Sequence, residues 1–320
     1  MSRSMNAPNL TSVESVNSIF AQAIAEKYFG IQASASELPS ERDQNFLLTA
    51  AGGEKFVLKI ANVFEEREVL EAQNAMMKHL AEHVSFSPRV VAAVSGEEIV
   101  TVEARFVRTL TYLPGKPLAT IASQSPELLR DFGRKLGRLG SALVGFDHPA
   151  AHRAFYWDLA KGAQIVNEFG TQINTDWLRE MVTGYAKDLC LSVEKLRKSV
   201  IHGDANDYNV LVERDEVVGL IDFGDMVYSY TVGELAIALA YVVLGKDDPY
   251  AAAAPVIEGY TSQFPLTKDE AEALWPLVRL RLCMSVCIAA HQQAQQPGNA
   301  YLGVSQSLIA ETLPRLLATN

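Results

Sequence analysis

The sequence predicts an α+β fold in two lobes: a small N-terminal lobe with an antiparallel sheet and flanking helices, then a larger, mostly helical C-terminal lobe. Three observations predict it. Short apolar runs separated by turn residues fill the chain up to Pro114-Gly115. Helix-period patterns dominate after that break. In the second half, H-G-D-x-x-x-x-N (His202 to Asn209) is followed thirteen residues later by D-F-G-D (Asp222 to Asp225), with apolar strand-like runs on each side.

The elements follow in order. Apolar positions Val16, Ile19, Phe20, Ala23, Ile24 and Tyr28 predict a helix over 12–29 that stops at Gly30. Residues 44–49 and 55–60 alternate as strands around the turn Ala51-Gly52-Gly53-Glu54, which makes a hairpin. A helix over 66–83 carries Val69, Leu70, Ala72, Met76, Met77 and Leu80 on its apolar side. Strands are expected at 89–94, 98–102 and 104–113. The lobe boundary falls there, with residues 1–113 in the first lobe, 114–320 in the second and a hinge at 110–115. Ser125-Pro126 opens the next helix as cap and first-turn proline. Further helices are expected at 176–198, 234–244, 249–264, 268–295 and 304–318.

Composition limits the function classes. The 320 residues are 48% hydrophobic and 21% charged, enough for a large core. The formal net charge is −10, which disfavours nucleic acid and membrane surfaces as partners and fits a cationic small substrate. Three cysteines, Cys190, Cys283 and Cys287, form no disulfide framework and point to a reducing, cytoplasmic setting. Met1 to Leu10 is polar and lacks the apolar core of a signal peptide. The apolar run from Leu235 to Leu244 is too short to span a bilayer.

The motif carries the chemistry. A carboxylate, a carboxamide five residues on, and a second carboxylate after a short hairpin suit phosphoryl transfer from a nucleotide. Asp204 is the candidate base that accepts or orients a hydroxyl proton. Asn209 and Asp222 are the candidate magnesium ligands, supplying hard oxygen donors. Asp225, on the same turn, is either a second metal ligand or the cap of the following helix.

These motifs, with the lobe order, are similar to the aminoglycoside phosphotransferase-like branch of the protein-kinase-like fold, over roughly residues 16–317. Within that branch, residues 201–209, 221–229 and 234–237 resemble the hydroxylysine kinase group, as do Phe56-Val57-Leu58-Lys59-Ile60 and Leu70-Glu71-Ala72-Gln73-Asn74. The resemblance implies ATP or GTP as co-substrate with Mg2+. It makes Lys59 the phosphate-binding lysine and Glu71 the acid that holds it, with Glu68 one turn away as the alternative. It makes His202 a brace of the catalytic loop. No glycine-rich loop precedes the second strand: Pro39 to Phe46 contains no glycine. Phosphate contacts are therefore expected from Ser40, Gln44 or Asn45, with Asn45 preferred, or from backbone amides. The nucleotide base is expected at the lobe junction, against Thr111, Tyr112 and Leu113.

An amino-bearing acceptor needs carboxylates. Asp207, in the catalytic loop, and Glu234 are candidates, and Tyr156 and Trp157 are a candidate aromatic wall. The implied acceptor is 5-hydroxylysine. Ethanolamine, choline, homoserine and an aminoglycoside remain open, as does a nucleotide-binding regulator without turnover.

Overall fold

A computed structural model of the chain describes residues 16–40, 43–189, 193–295, 303 and 305–318. It divides into two compact units that part between Pro114 and Gly115.

The first unit opens with helix α1, Ser18–Phe29. Asn17 caps it, its side chain accepting from Phe20 N, and Gly30 ends it in the left-handed region. Residues 12–15 of the expected helix lie outside the described residues. Strands β1 (Ala33–Leu38), β2 (Gln44–Ala50), β3 (Lys55–Ile60), β4 (Val90–Val91), β5 (Val100–Val102) and β6 (Arg105–Thr111) build an antiparallel sheet. Its order is β1-β2-β3-β6-β4, with β5 also on β6. The 44–60 hairpin forms as expected, with Leu47 opposite Val57. The later strands are shorter than the sequence reading, at two, three and seven residues.

One face of this sheet is apolar. Phe46, Leu48, Leu58, Ile60 and Val107 pack with Ala21, Ile24, Ala25 and Phe29 of α1 into one core. The pleat puts the next residues on the other face. There Asn45, Lys59 and Arg108 line up across three strands. Helix α2, Arg67–Ala81, covers that face, and its Gln73 and Asn74 accept from the Arg108 guanidinium.

The second unit holds β7 (Lys116–Pro117), β8 (Lys198–Ile201), β9 (Val210–Glu213), β10 (Glu216–Leu220) and β11 (Val227–Tyr230). Its helices are α3 (Pro126–Ala142), α4 (Gly162–Phe169), α5 (Asp176–Asp188), α6 (Gly233–Val242), α7 (Pro249–Gln263), α8 (Lys268–Gln295) and α9 (Gln306–Ala318). Ser125 caps α3 by accepting from Leu128 N at 3.1 Å, with Pro126 in the first turn, as expected. Helix α5 ends at Asp188 rather than Lys198, since Lys198 starts the strand that pairs with β11. The expected α8 is found residue for residue. Thr267 and Glu270 cap it reciprocally: Glu270 N donates to Thr267 Oγ1 at 3.2 Å and Thr267 N donates to Glu270 Oε2 at 2.9 Å. Helix α8 is long and apolar enough to cross a membrane, yet 78% of its most apolar window is buried inside the protein, so it is the core helix. Cys283 and Cys287 are buried there as free thiols, and Cys190 lies outside the described residues.

Candidate active site

Two short antiparallel pairings hold the motif. Strands β8 and β11 pair with Ile201 opposite Val227, placing the start of the H-G-D loop beside the end of the D-F-G-D turn. Strands β9 and β10 form the hairpin between the two motifs, with Val210 opposite Leu220. Ile221 N then donates to Asn209 O at 2.9 Å, so Asn209 and Asp222 become neighbours.

The H-G-D loop is fixed from beneath. His202 is fully buried. Its Nε2 bonds Ile221 O at 3.0 Å and its Nδ1 accepts from Asp204 N at 3.3 Å. Those two bonds select the neutral Nε2–H tautomer, and burial holds the ring pKa down to about 4. Phe223 packs edge-on against the same ring at 4.7 Å. Gly203 has φ +82, and a Cβ there would stand 2.5 Å from Asp225 O, so the loop requires glycine on two counts. The backbone N–H groups of His202 and Gly203 donate to Glu234 Oε2 at 2.6 and 3.4 Å. Glu234, 2% exposed, is thus a buried brace and not a carboxylate lining an acceptor site. Burial pushes its pKa up to about 7, against the pull of those two bonds.

Asp204 stands on this support with 20% of its side chain open. Asn209 Nδ2 donates to its Oδ2 at 2.8 Å and to its backbone O at 2.9 Å. Arg281 Nη2 donates to its Oδ1 at 3.1 Å. Burial, and then the nearby Asp225, raise the Asp204 pKa well above the usual carboxylate range, with Arg281 pulling it back. Asn206 ties the loop together, its Oδ1 accepting from Tyr208 N at 2.8 Å and Asn209 N at 3.2 Å.

Asp222 sits at φ +64, a left-handed conformation costly for aspartate at about 1–3 kcal/mol. Arg153 clamps the turn that follows, donating from Nη2 to Gly224 O at 2.6 Å and Met226 O at 3.1 Å. Its guanidinium also lies 4.2 Å over the Phe155 ring. Asp225 is buried beside Asp204 and Arg281. It does not cap the next helix, because α6 begins after Val232 without a side-chain cap.

The donor set suits magnesium. Both Asn209 amide hydrogens are committed to Asp204, which leaves its Oδ1 as the donor, and Asp222 adds a carboxylate. One amide oxygen and one carboxylate is a usual protein share for an ion that keeps waters and substrate phosphates. Among the described residues no cluster of three or more His, Cys, Asp or Glu has metal-holding geometry.

In the small unit, Lys59 is 8% exposed and its Nζ lies 3.9 Å from Asp43 Oδ2. Glu71 does not hold it. Glu71 Oε1 accepts from Arg67 Nε at 2.9 Å on an exposed flank of α2, as an i,i+4 pair. Gln44 is engaged structurally, accepting from Val16 N at 3.0 Å and Arg105 Nη1 at 3.4 Å. Asn45, directly opposite Lys59, keeps a buried Oδ1 with no hydrogen-bond partner. Thr111 N and Oγ1 both bond Arg89, and Tyr112 N donates to Lys55 O at 3.3 Å, so these groups are spent within the sheet. Leu113 follows them, half-buried.

Other expected acceptor groups are placed as follows. Asp207 is half-buried, and burial pushes its pKa up to about 6. Trp157 carries the Arg281 guanidinium over its ring at 4.2 Å, so that face already has its cation. Arg281 and Arg153 were not anticipated from sequence. Their partners lie 77 and 71 residues away, and only a charge inside an apolar helical run hinted at Arg281.

The phosphotransferase enzyme family model matches residues 34–273. The chain belongs to that family. It is 30% identical to hydroxylysine kinase of Danio rerio over 99% of this chain and 94% of that protein. It is 27% identical to homoserine kinase of Zymomonas mobilis over 69% of this chain and 70% of that protein. An amicoumacin kinase solved in complex with AMP-PNP, Ca2+ and Ami shares the fold at TM-score 0.71 and 14% identity, over 94% of this chain and 92% of that one. This phosphotransferase is therefore a small-molecule kinase with a hydroxyl acceptor, and its α+β, kinase-like architecture is the one expected.

Proposed function

We propose that this family member transfers the γ-phosphoryl group of ATP or GTP to the hydroxyl of 5-hydroxylysine. The observation that carries the chemistry is Asp204, partly open and held at both oxygens by Asn209 and Arg281. The acceptor rests on near full-length similarity to a hydroxylysine kinase.

Asp204 accepts the acceptor's hydroxyl proton as the phosphoryl group arrives, or orients that hydroxyl for a loose transition state. Mg2+, when bound, neutralises phosphate charge, and Asn209 Oδ1 with the Asp222 carboxylate would hold it. The small unit, residues 1–113, binds the nucleotide. Lys59 attracts its phosphates, Asn45 lies beside that lysine, and the Thr111–Leu113 segment meets the base, with Leu113 the backbone group left for its edge. Asp207 and Asp225 supply negative charge for the substrate ammonium or a second metal. Free buried thiols fit a cytoplasmic setting.

Homoserine is the second reading, favoured by the match to a homoserine kinase over 69% of the chain. The test is nucleoside-diphosphate release with Mg2+ and ATP or GTP, against 5-hydroxylysine, homoserine, ethanolamine, choline and kanamycin. Turnover of 5-hydroxylysine above the others, lost in Asp204→Asn, is expected. Preference for another acceptor overturns the substrate assignment. An active Asp204→Asn overturns the base.

A further inference from the structure

We propose that Arg281 is a positioning residue for the acceptor base, a role that rests on the reading of Asp204 given above. Arg281 sits in the middle of α8 among Val278, Leu280, Leu282, Cys283 and Met284, and is 1% exposed. A buried guanidinium is tolerated only when paired and hydrogen-bonded. Its Nη2 donates to Asp204 Oδ1 at 3.1 Å and its Nη1 to Trp157 O at 3.2 Å. Its guanidinium lies 4.2 Å over the Trp157 ring and 5.9 Å from the Tyr241 ring centroid. The planar fork is thus pinned by one backbone oxygen and an aromatic face before it reaches the carboxylate.

The consequence for Asp204 is geometric. A carboxylate held at one oxygen still turns about its Cβ–Cγ bond. Asn209 holds Oδ2 and Arg281 holds Oδ1, one donor from the loop and one from the core helix. Together they fix the carboxylate plane and leave one lone pair on each oxygen for the acceptor hydroxyl. Arg281 itself, being enclosed, does not touch substrate. It acts through Asp204, and only an arginine fits, since a lysine ammonium lacks the flat fork that reaches Trp157 O and Asp204 Oδ1 together.

The experiment measures kcat, and KM for nucleotide and acceptor, in the wild type, Asp204→Asn, Arg281→Lys and Arg281→Met, using the acceptor the panel turns over. Each variant is first checked for a cooperative melting transition. Arg281→Met is expected to lose kcat about 100-fold, the scale of a misplaced catalytic group, with nucleotide KM unchanged. Arg281→Lys is expected to fold and fall between Met and wild type in kcat. Wild-type kcat in folded Arg281→Lys overturns the role and makes Arg281 structural, and this variant decides the matter if Arg281→Met does not fold. A loss confined to nucleotide KM also overturns it. Both outcomes leave the proposed reaction standing when Asp204→Asn is inactive; an active Asp204→Asn brings down the underlying reading instead.

Discussion

Asn209 gives both hydrogens of its side-chain amide to Asp204, one to the backbone oxygen at 2.9 Å and one to Oδ2 at 2.8 Å. One residue therefore orients the candidate base and keeps its remaining oxygen for the metal proposed above. The two duties separate by substitution. Asn209→Asp keeps an oxygen donor but loses both bonds and sets a second carboxylate against Asp204. Asn209→Ala loses bonds and donor alike. Both are expected to lose about 10²-fold or more in kcat, the range of a mispositioned proton acceptor. Only Asn209→Ala should also shift half-saturating magnesium upward. Turnover measured across a magnesium series distinguishes the two.

Gly203 is the tightest point of the loop. Gly203→Ala forces a side chain to φ +82 and 2.5 Å from Asp225 O. Stability is expected to fall by about 2 kcal/mol or more, since strain and overpacking add. The D-F-G-D turn must shift to make room, so kcat should fall with stability. A thermal melt and a rate measurement on the same preparation check both. Loss of stability with full kcat would mean that the turn tolerates displacement.

Lys59 and Glu71 are expected to behave independently. Lys59 is buried opposite Asn45, whereas Glu71 pairs with Arg67 at half exposure. Lys59→Met should raise nucleotide KM and lower kcat. Glu71→Ala should leave both unchanged and cost no more than about 0.5 kcal/mol, as exposed i,i+4 pairs do. Nucleotide titrations of the two variants decide it. A Glu71→Ala enzyme as impaired as Lys59→Met would restore the expected lysine–glutamate pair.

These contrasts mark where the sequence was legible. The hairpin at 44–60 and helix α8 were readable because alternation, turn residues and helical periodicity are local signals. That Asp204, Asn209 and Asp222 come together was readable because they lie at short spacing on one loop and the hairpin after it. Strand β1, Ala-Ser-Ala-Ser-Glu-Leu, was missed because small polar residues hide its period. Arg281 and Arg153 were missed because their partners come from distant segments, and the apolar run around Arg281 names no partner for it. Glu234 was assigned the wrong duty for the same reason, since its partners are backbone amides 31 and 32 residues upstream.

Glu234 ties stability to pH. Its folded pKa, about 7, lies above the unfolded value of 4.5, because burial opposes the charge more strongly than its two backbone bonds favour it. Between those values the folded state binds more protons than the unfolded state, so stability falls as pH rises through that window. The contribution is complete below about pH 4.5 and is lost above about pH 7, on the order of 3 kcal/mol at 1.36 kcal/mol per unit. Glu234→Gln keeps an oxygen for the His202 and Gly203 amides and removes the titration. The variant should therefore gain stability relative to the wild type between pH 5 and pH 8. Melting curves of both proteins at the two pH values test this. A constant difference in melting temperature between them would show that Glu234 keeps one charge state across the range and would overturn the titration argued here.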